Sequence, residues 1–190
     1  MDGIKDIIRD IGNRMDSLEA ERESVIALSR TVIRGTKRAI HAIHAGESYD
    51  TSELQKTLNK LLAKVADRPE LIASGNIQDA AAEFAEVCIL SSVINGKEMP
   101  SFRDLGISPQ AWVLGLADSV GEMRRSILDS LLAGDTENAE RIFSCMGEIY
   151  EEIMMLDVPD VILPIRRKQD IARSVMERTR TDLANAVTRR

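Results

Sequence analysis

Aromatic residues make up only 3% of this 190-residue sequence: one Trp, two Tyr and three Phe. That shortage disfavours a β-rich core, because strands draw on bulky aromatic and branched side chains to fill a pleated surface. Cysteine is nearly absent. Cys88 and Cys145 are too few for a disulfide framework or a thiolate metal cluster, and both fall inside helical patterns, so they read as free thiols without a function. Histidine is equally scarce, His41 and His44 being the whole supply. Their i, i+3 spacing permits a metal pair, yet no third ligand stands near them in sequence. No apolar run approaches the length of a membrane span. The opening MDGIKDIIRD carries acids and lacks an unbroken apolar segment, so it does not read as a signal peptide. A cytoplasmic location with no membrane partner is the expectation.

What is abundant is Ala, Leu, Ile, Met, Glu and Arg, the residues that suit helix interiors. A hydrophobic content of 44% is enough for a sizeable core in a chain of this length, and residues 1–190 read as one all-α domain. Apolar residues recur at helical spacing through Ile4, Ile7, Ile8, Ile11, Met15, Leu18, Val25, Leu28, Val32, Ala39 and Ile43, which predicts one long first helix, with Gly12 a candidate break. A second helix is expected from about Thr51 to Val65, ended by Asp67-Arg68-Pro69, and a third from about Ile77 to Ile94, ended by Asn95-Gly96. After a loop over Met99 to Gly106, Ser108-Pro109 supplies an N-cap and a first-turn proline for a fourth helix reaching Leu132 and stopping at Gly134. Asp135 and Thr136 cap a fifth helix to about Leu156. Asp157 to Pro164 forms a corner, and a last helix carries Ile165, Ile171, Val175 and Leu183. The expected architecture is a helical bundle of about six or seven helices with short connections.

A net charge of −6 and a pI near 5.1 argue, taken as totals, against a nucleic-acid partner. Distribution says otherwise. At 100° per residue, Arg34, Lys37, His41 and His44 fall within roughly 40° of Arg30 on the first helix, while Val25, Val32, Ala39 and Ile43 point to the other side. The row extends for about 20 Å, enough to follow several phosphates. A solvated helix face is the plainer alternative, and the two histidines could be ordinary surface or capping residues.

Two acidic groupings stand out. Asp79, Glu83 and Glu86 in QDAAAEFAEVCIL share a helix face with Leu90 and Val93, and carboxylates on a partly apolar face need a cation or a proton between them. Asp118 and Glu122 in LGLADSVGEMRRS share a face with Arg125 and Asp129, opposite a core side of Val113, Leu116, Val120, Met123 and Ile127. A local Glu122–Arg125 surface pair would account for the second group without any ligand. Gly115 and Gly121 flank these acids, and a helical glycine costs about 1 kcal/mol relative to alanine, which suggests close approach of another backbone or a ligand. If the third and fourth helices pack side by side, Glu83, Glu86, Asp118 and Glu122 converge into an all-oxygen site suited to Mg²⁺ or Mn²⁺. Such a metal generates a hydroxide-like water and offsets charge building on a phosphodiester.

The segments LSRTVIRGTKRAIHAIH, EFAEV and WVLGLADSVGEMRRSILDSLLAGD resemble the translin family, over nearly the whole chain from about Glu19 to Val187. That family comprises translin, mainly a binder of RNA and single-stranded DNA, and translin-associated factor X, whose acids cleave RNA when the two assemble as a hollow octamer. The catalytic branch carries an acid pair in its EFVEA-like segment and an Asp before the GE of its GVADLTGE-like segment. Glu83 and Glu86 in EFAEV, and Asp118 and Glu122 in GLADSVGE, match that set. The resemblance therefore implies a metal-dependent endoribonuclease acting on short or single-stranded RNA. Glu83, Glu86, Asp118 and Glu122 would be its catalytic and metal-holding residues, with Asp79 an outlier. Arg30, Arg34, Lys37, Arg38 and His41 would be its RNA-binding residues. The chain reads as compact, without the longer loop before the fourth helix or the basic N-terminal extension of the eukaryotic catalytic branch, and so resembles a prokaryotic, archaeal member. With binding and cutting surfaces on one chain, a homo-oligomer is implied, an octamer if the family's assembly holds. Two alternatives stand beside this reading: a non-catalytic RNA or single-stranded DNA binder, and an all-α Mg²⁺-dependent nucleotide pyrophosphohydrolase. The latter usually carries ExxD on its second helix, whereas this chain has DxxxE. A di-iron carboxylate bundle is disfavoured by the lack of an ExxH histidine.

Overall fold

Seven helices, with no strand, make up the described residues of the computed structural model, which are 2–72 and 75–188. In chain order they are α1 (Asp2–His44), α2 (Ser52–Val65), α3 (Pro69–Ile72), α4 (Gly75–Ile94), α5 (Pro109–Leu132), α6 (Thr136–Met154) and α7 (Arg166–Thr188). The all-α bundle expected from the sequence is what is observed. None of these helices is long and apolar enough to cross a membrane.

The element ends follow local chemistry. Ser108 caps α5 by accepting from the Ala111 backbone N–H, with Pro109 at the first helical position, and Asp135 caps α6 by accepting from the Asn138 N–H. Gly96 and Gly134 end α4 and α5 with positive φ (61° and 79°), letting the chain fold back so that the next residue's N–H donates to Ser92 O and Ser130 O. One expectation at this level needs correction. Gly12 does not break α1, because a single helical glycine costs only about 1 kcal/mol relative to alanine and no neighbouring group crowds it into a bend. α2 ends at Val65, ahead of Asp67-Arg68-Pro69 as expected, and Pro69 then opens the additional single turn α3.

α4 is the axis of the molecule. It packs chiefly on α5 and α1, while α5 packs also on α6 and α7. Ala80, Ala81, Ala82, Phe84, Ala85, Val87, Ile89 and Leu90 bury nearly every side of α4, which is why the helix shows almost no amphipathic face. The approach of α4 to α5 is set by Gly115. A Cβ there would stand 2.4 Å from the Ala82 carbonyl oxygen and 2.9 Å from the Glu86 backbone nitrogen, so the expected close contact is between helix backbones. Gly121, by contrast, is exposed with nothing within 4 Å, and the same expectation fails there. Gly115→Ala must push two backbones apart. It is expected to cost about 1–3 kcal/mol, as overpacking does, and differential scanning calorimetry should read this as a Tm lower by several degrees.

α1 carries one seam at alternating spacings of four and three residues. Val25, Ser29, Val32, Thr36 and Ala39 are buried in its C-terminal half. The same seam continues through Ile4, Ile8, Ile11 and Met15, where the helix runs past its own bundle and these side chains are 48–64% exposed. Of the apolar residues that mark the last helix in the sequence, Val175 and Leu183 join Ala172 and Met176 on the buried face of α7, while Ile171 is exposed.

Candidate functional site

Glu83 and Glu86 stand on α4, one turn apart, and Asp118 and Glu122 stand one turn apart on α5. The Gly115 contact brings the two helices together beside them, and all four carboxylates line one open cleft of about 490 Å³. Lys37 and Ile40 of α1 form the remaining lining. Asp79 is exposed and is not among the residues lining this cleft.

Three of the four carboxylates have a partner of their own. Thr36 Oγ1 of α1 donates to Glu83 Oε2 at 3.1 Å. His44 Nε2 lies 2.6 Å from Glu122 Oε2, with the imidazole side chain only 4% exposed. Its other nitrogen faces Ser126 Oγ at 3.4 Å and Asp129 at 3.8 Å. Lys168 Nζ of α7 spans both oxygens of Asp118, at 2.5 and 2.6 Å. Farther along the two helices, Arg124 ties α5 to α7 by donating to Thr179 and pairing with Asp182 at 2.7 Å. Glu86 takes the remaining solution. Burial first, then the charges of Asp118, Glu83 and Glu122, push its carboxyl up to about 8 against the opposing pull of Lys168. Around neutral pH burial and the three neighbouring anions therefore favour its protonated form.

That proton has a consequence for stability. The folded protein holds the Glu86 proton more tightly than the unfolded chain, whose carboxyl has the ordinary value of 4.5. The resulting stabilisation is fully present below 4.5 and drains away as pH rises through about 8. For the metal-free protein we expect a loss on the order of a few kcal/mol across that window. Urea unfolding of wild type and Glu86→Gln over the same pH range checks it: the wild-type midpoint should fall with pH more steeply than that of the variant, and parallel curves would refute it.

As a donor set the cleft suits a hard divalent cation, with carboxylate oxygens alone and no thiolate. Among the described residues, however, no three acidic or histidine side chains already form a coordination cluster. The acids converge on one space while their oxygens are engaged elsewhere.

The basic row of α1 borders this cleft. Arg30, Arg34, Lys37, Arg38 and His41 are exposed, and among the described residues none of them forms an ion pair. Arg34 donates to Thr31 Oγ1 and Arg38 to the Arg34 carbonyl, which steadies the row without neutralising it. Lys37 belongs to both features, the row and the cleft. His44 departs from the expected row: its backbone position fits, but the side chain is buried against α5. The expected Glu122–Arg125 surface pair gives way to Glu122–His44. Thr36 and Lys168 went unnoticed as site residues in the sequence, and His44 was read as part of the basic row rather than as a partner of Glu122. Thr36 had only its place on the α1 seam as a signal, and Lys168 had none. The two cysteines are free, as expected, and burial pushes the Cys88 thiol up to about 12, which leaves it inert.

No family model matches the chain. An uncharacterized protein of Methanocaldococcus jannaschii is 31% identical over 194 residues, covering 98% of this chain and 84% of that one. Among solved structures, AfC3PO in complex with duplex RNA is similar with a TM-score of 0.81 and 33% identity, over 96% of this chain and 97% of that chain. AfC3PO crystallised by itself gives 0.80 and 34%, over 96% and 98%. Apo-NeC3PO, at 19% identity, shares the fold, with a TM-score of 0.82 over 94% of this chain and 96% of that one.

Proposed function

The chain belongs to the translin family, and on that premise we propose that it is a metal-dependent endoribonuclease that grips RNA on α1 and cuts it at the acidic cleft. The observation that carries this reading is the shared position of Lys37, which joins the unpaired basic row to the space lined by Glu83, Glu86, Asp118 and Glu122. Acids alone would repel a phosphodiester, and a basic row alone would only bind one. AfC3PO has been captured with duplex RNA, which supports a nucleic-acid ligand on this fold.

Glu83, Glu86 and Asp118 would hold Mg²⁺ or Mn²⁺, with Glu122 beside them as a further ligand or a residue orienting the attacking water. A divalent ion held there supplies Lewis acidity at the phosphoryl oxygens and a bound water of lowered pKa. Glu122 Oε2 is committed to His44, so Oε1 is the oxygen that would orient an attacking water. Arg30, Arg34, Lys37, Arg38 and His41 fix the phosphates of the substrate strand, short or single-stranded RNA being the expected substrate and single-stranded DNA a further ligand. The exposed seam of Ile4, Ile8, Ile11 and Met15 supports self-association, in the family manner a closed octamer around the RNA.

The binding-only reading draws on one observation, the engagement of the carboxylates by Thr36, His44 and Lys168. Internally labelled RNA, duplex and single-stranded, incubated with Mg²⁺ or Mn²⁺ and with EDTA, separates the two. Internal cleavage that stops in EDTA is expected. RNA left intact with both metals leaves a binder, and pyrophosphate release from free nucleoside triphosphates without RNA cleavage assigns the cleft to nucleotide hydrolysis.

A further inference from the structure

Lys168 is a lysine partner of the acidic cleft, and its position is unusual. It belongs to the Arg166-Arg167-Lys168 run that opens α7, a first turn with no acidic residue. A helix N-terminus carries partial positive charge and disfavours cations; Arg166 is answered locally by Asp157 and Asp160, at 3.9 and 3.8 Å, whereas Lys168 is not. The compensation lies across the molecule. Lys168 reaches Asp118 on α5 and spans both of its oxygens, and its charge is felt as far as Glu86. Farther along the same helix Arg124 donates to Thr179 and pairs with Asp182, which holds α7 against α5, while the Lys168 ammonium ends a flexible stem of four methylenes.

From this geometry we infer that Lys168 is a resident counter-cation of the cleft, which occupies Asp118 in the metal-free protein and must release it when a divalent ion binds. The inference rests on the metal reading above and adds a residue that sets how readily the site loads. Asp118 cannot offer both oxygens to Lys168 and also ligate a divalent ion well, so lysine and metal compete for one carboxylate. Without the lysine charge, the cleft holds the same acids with less opposing positive potential. Lys168 is a positioning residue for Asp118, and its removal should act on metal affinity before it acts on chemistry.

The test is Mn²⁺ binding to the full chain without RNA, read from the electron paramagnetic resonance signal of the free ion. Lys168→Met, which keeps the stem and removes the charge, is expected to bind Mn²⁺ about tenfold more tightly than wild type. Lys168→Gln should do likewise, and it serves as the second neutral variant should Met perturb folding. Lys168→Arg, which keeps the charge, should bind as wild type does. A lysine that merely braced α5 against α7 would give neutral variants of lower thermal stability with unchanged or weaker Mn²⁺ affinity, and that outcome overturns the inference. The two readings fail separately. Wild-type binding that is lost in Glu83→Gln/Glu86→Gln, together with unchanged affinity in both neutral Lys168 variants, removes the counter-cation and keeps the metal site. No Mn²⁺ binding by wild type or any Lys168 variant removes both.

Discussion

Replacing Glu83 and Glu86 together by Gln is expected to reduce RNA cleavage in Mg²⁺ by at least about 10³-fold, the scale lost when transition-state charge stabilisation is removed. RNA affinity should be nearly unchanged, because neither residue belongs to the basic row. The fold should survive as well. Glu86 is already protonated at neutral pH, so a neutral amide of the same shape replaces a neutral acid, and Glu83 gives up only one hydrogen bond, from Thr36. Single-turnover cleavage measured beside fluorescence anisotropy on the same RNA separates catalysis from binding. Cleavage that persists in the double variant would remove both residues from the catalytic assignment.

The second large effect belongs to α1. Arg30→Ala, Arg34→Ala and Lys37→Ala combined should weaken RNA binding by about 10²-fold at moderate salt and lower the steepness of its salt dependence by roughly two units, as expected for two to three lost phosphate contacts. Stability should change little, since all three side chains are exposed and none forms an ion pair among the described residues. Anisotropy titrations across a salt series check both numbers. An unchanged slope would mean that phosphates travel over another surface, and the shared position of Lys37 would lose its meaning.

How much of this was legible in the sequence depended on how local the cause was. The caps Ser108 and Asp135 and the stops Gly96 and Gly134 act within one turn of chain, and their positions could be read directly. The pairing of acids on α4 and α5 was legible too, from helical periodicity joined to the family resemblance. What the acids do to one another was not. Lys168 meets Asp118 across 50 residues, His44 meets Glu122 across 78, and Thr36 meets Glu83 across 47, and no periodicity encodes contacts at that range. For the same reason the local Glu122–Arg125 pair was a fair expectation that a long-range partner displaced. Gly115 and Gly121 make the point in one helix: both cost helix propensity, yet only Gly115 faces a neighbouring backbone, which depends on where α4 lies.

The central claim is that a divalent cation sits among the acids of α4 and α5, and anomalous scattering from a crystal soaked in Mn²⁺ tests it most directly. The account predicts one or more Mn²⁺ peaks within bonding distance of carboxylate oxygens of Glu83, Glu86 and Asp118, with Lys168 turned away from Asp118. Mn²⁺ bound only elsewhere on the chain, with Lys168 still spanning both Asp118 oxygens, would contradict it.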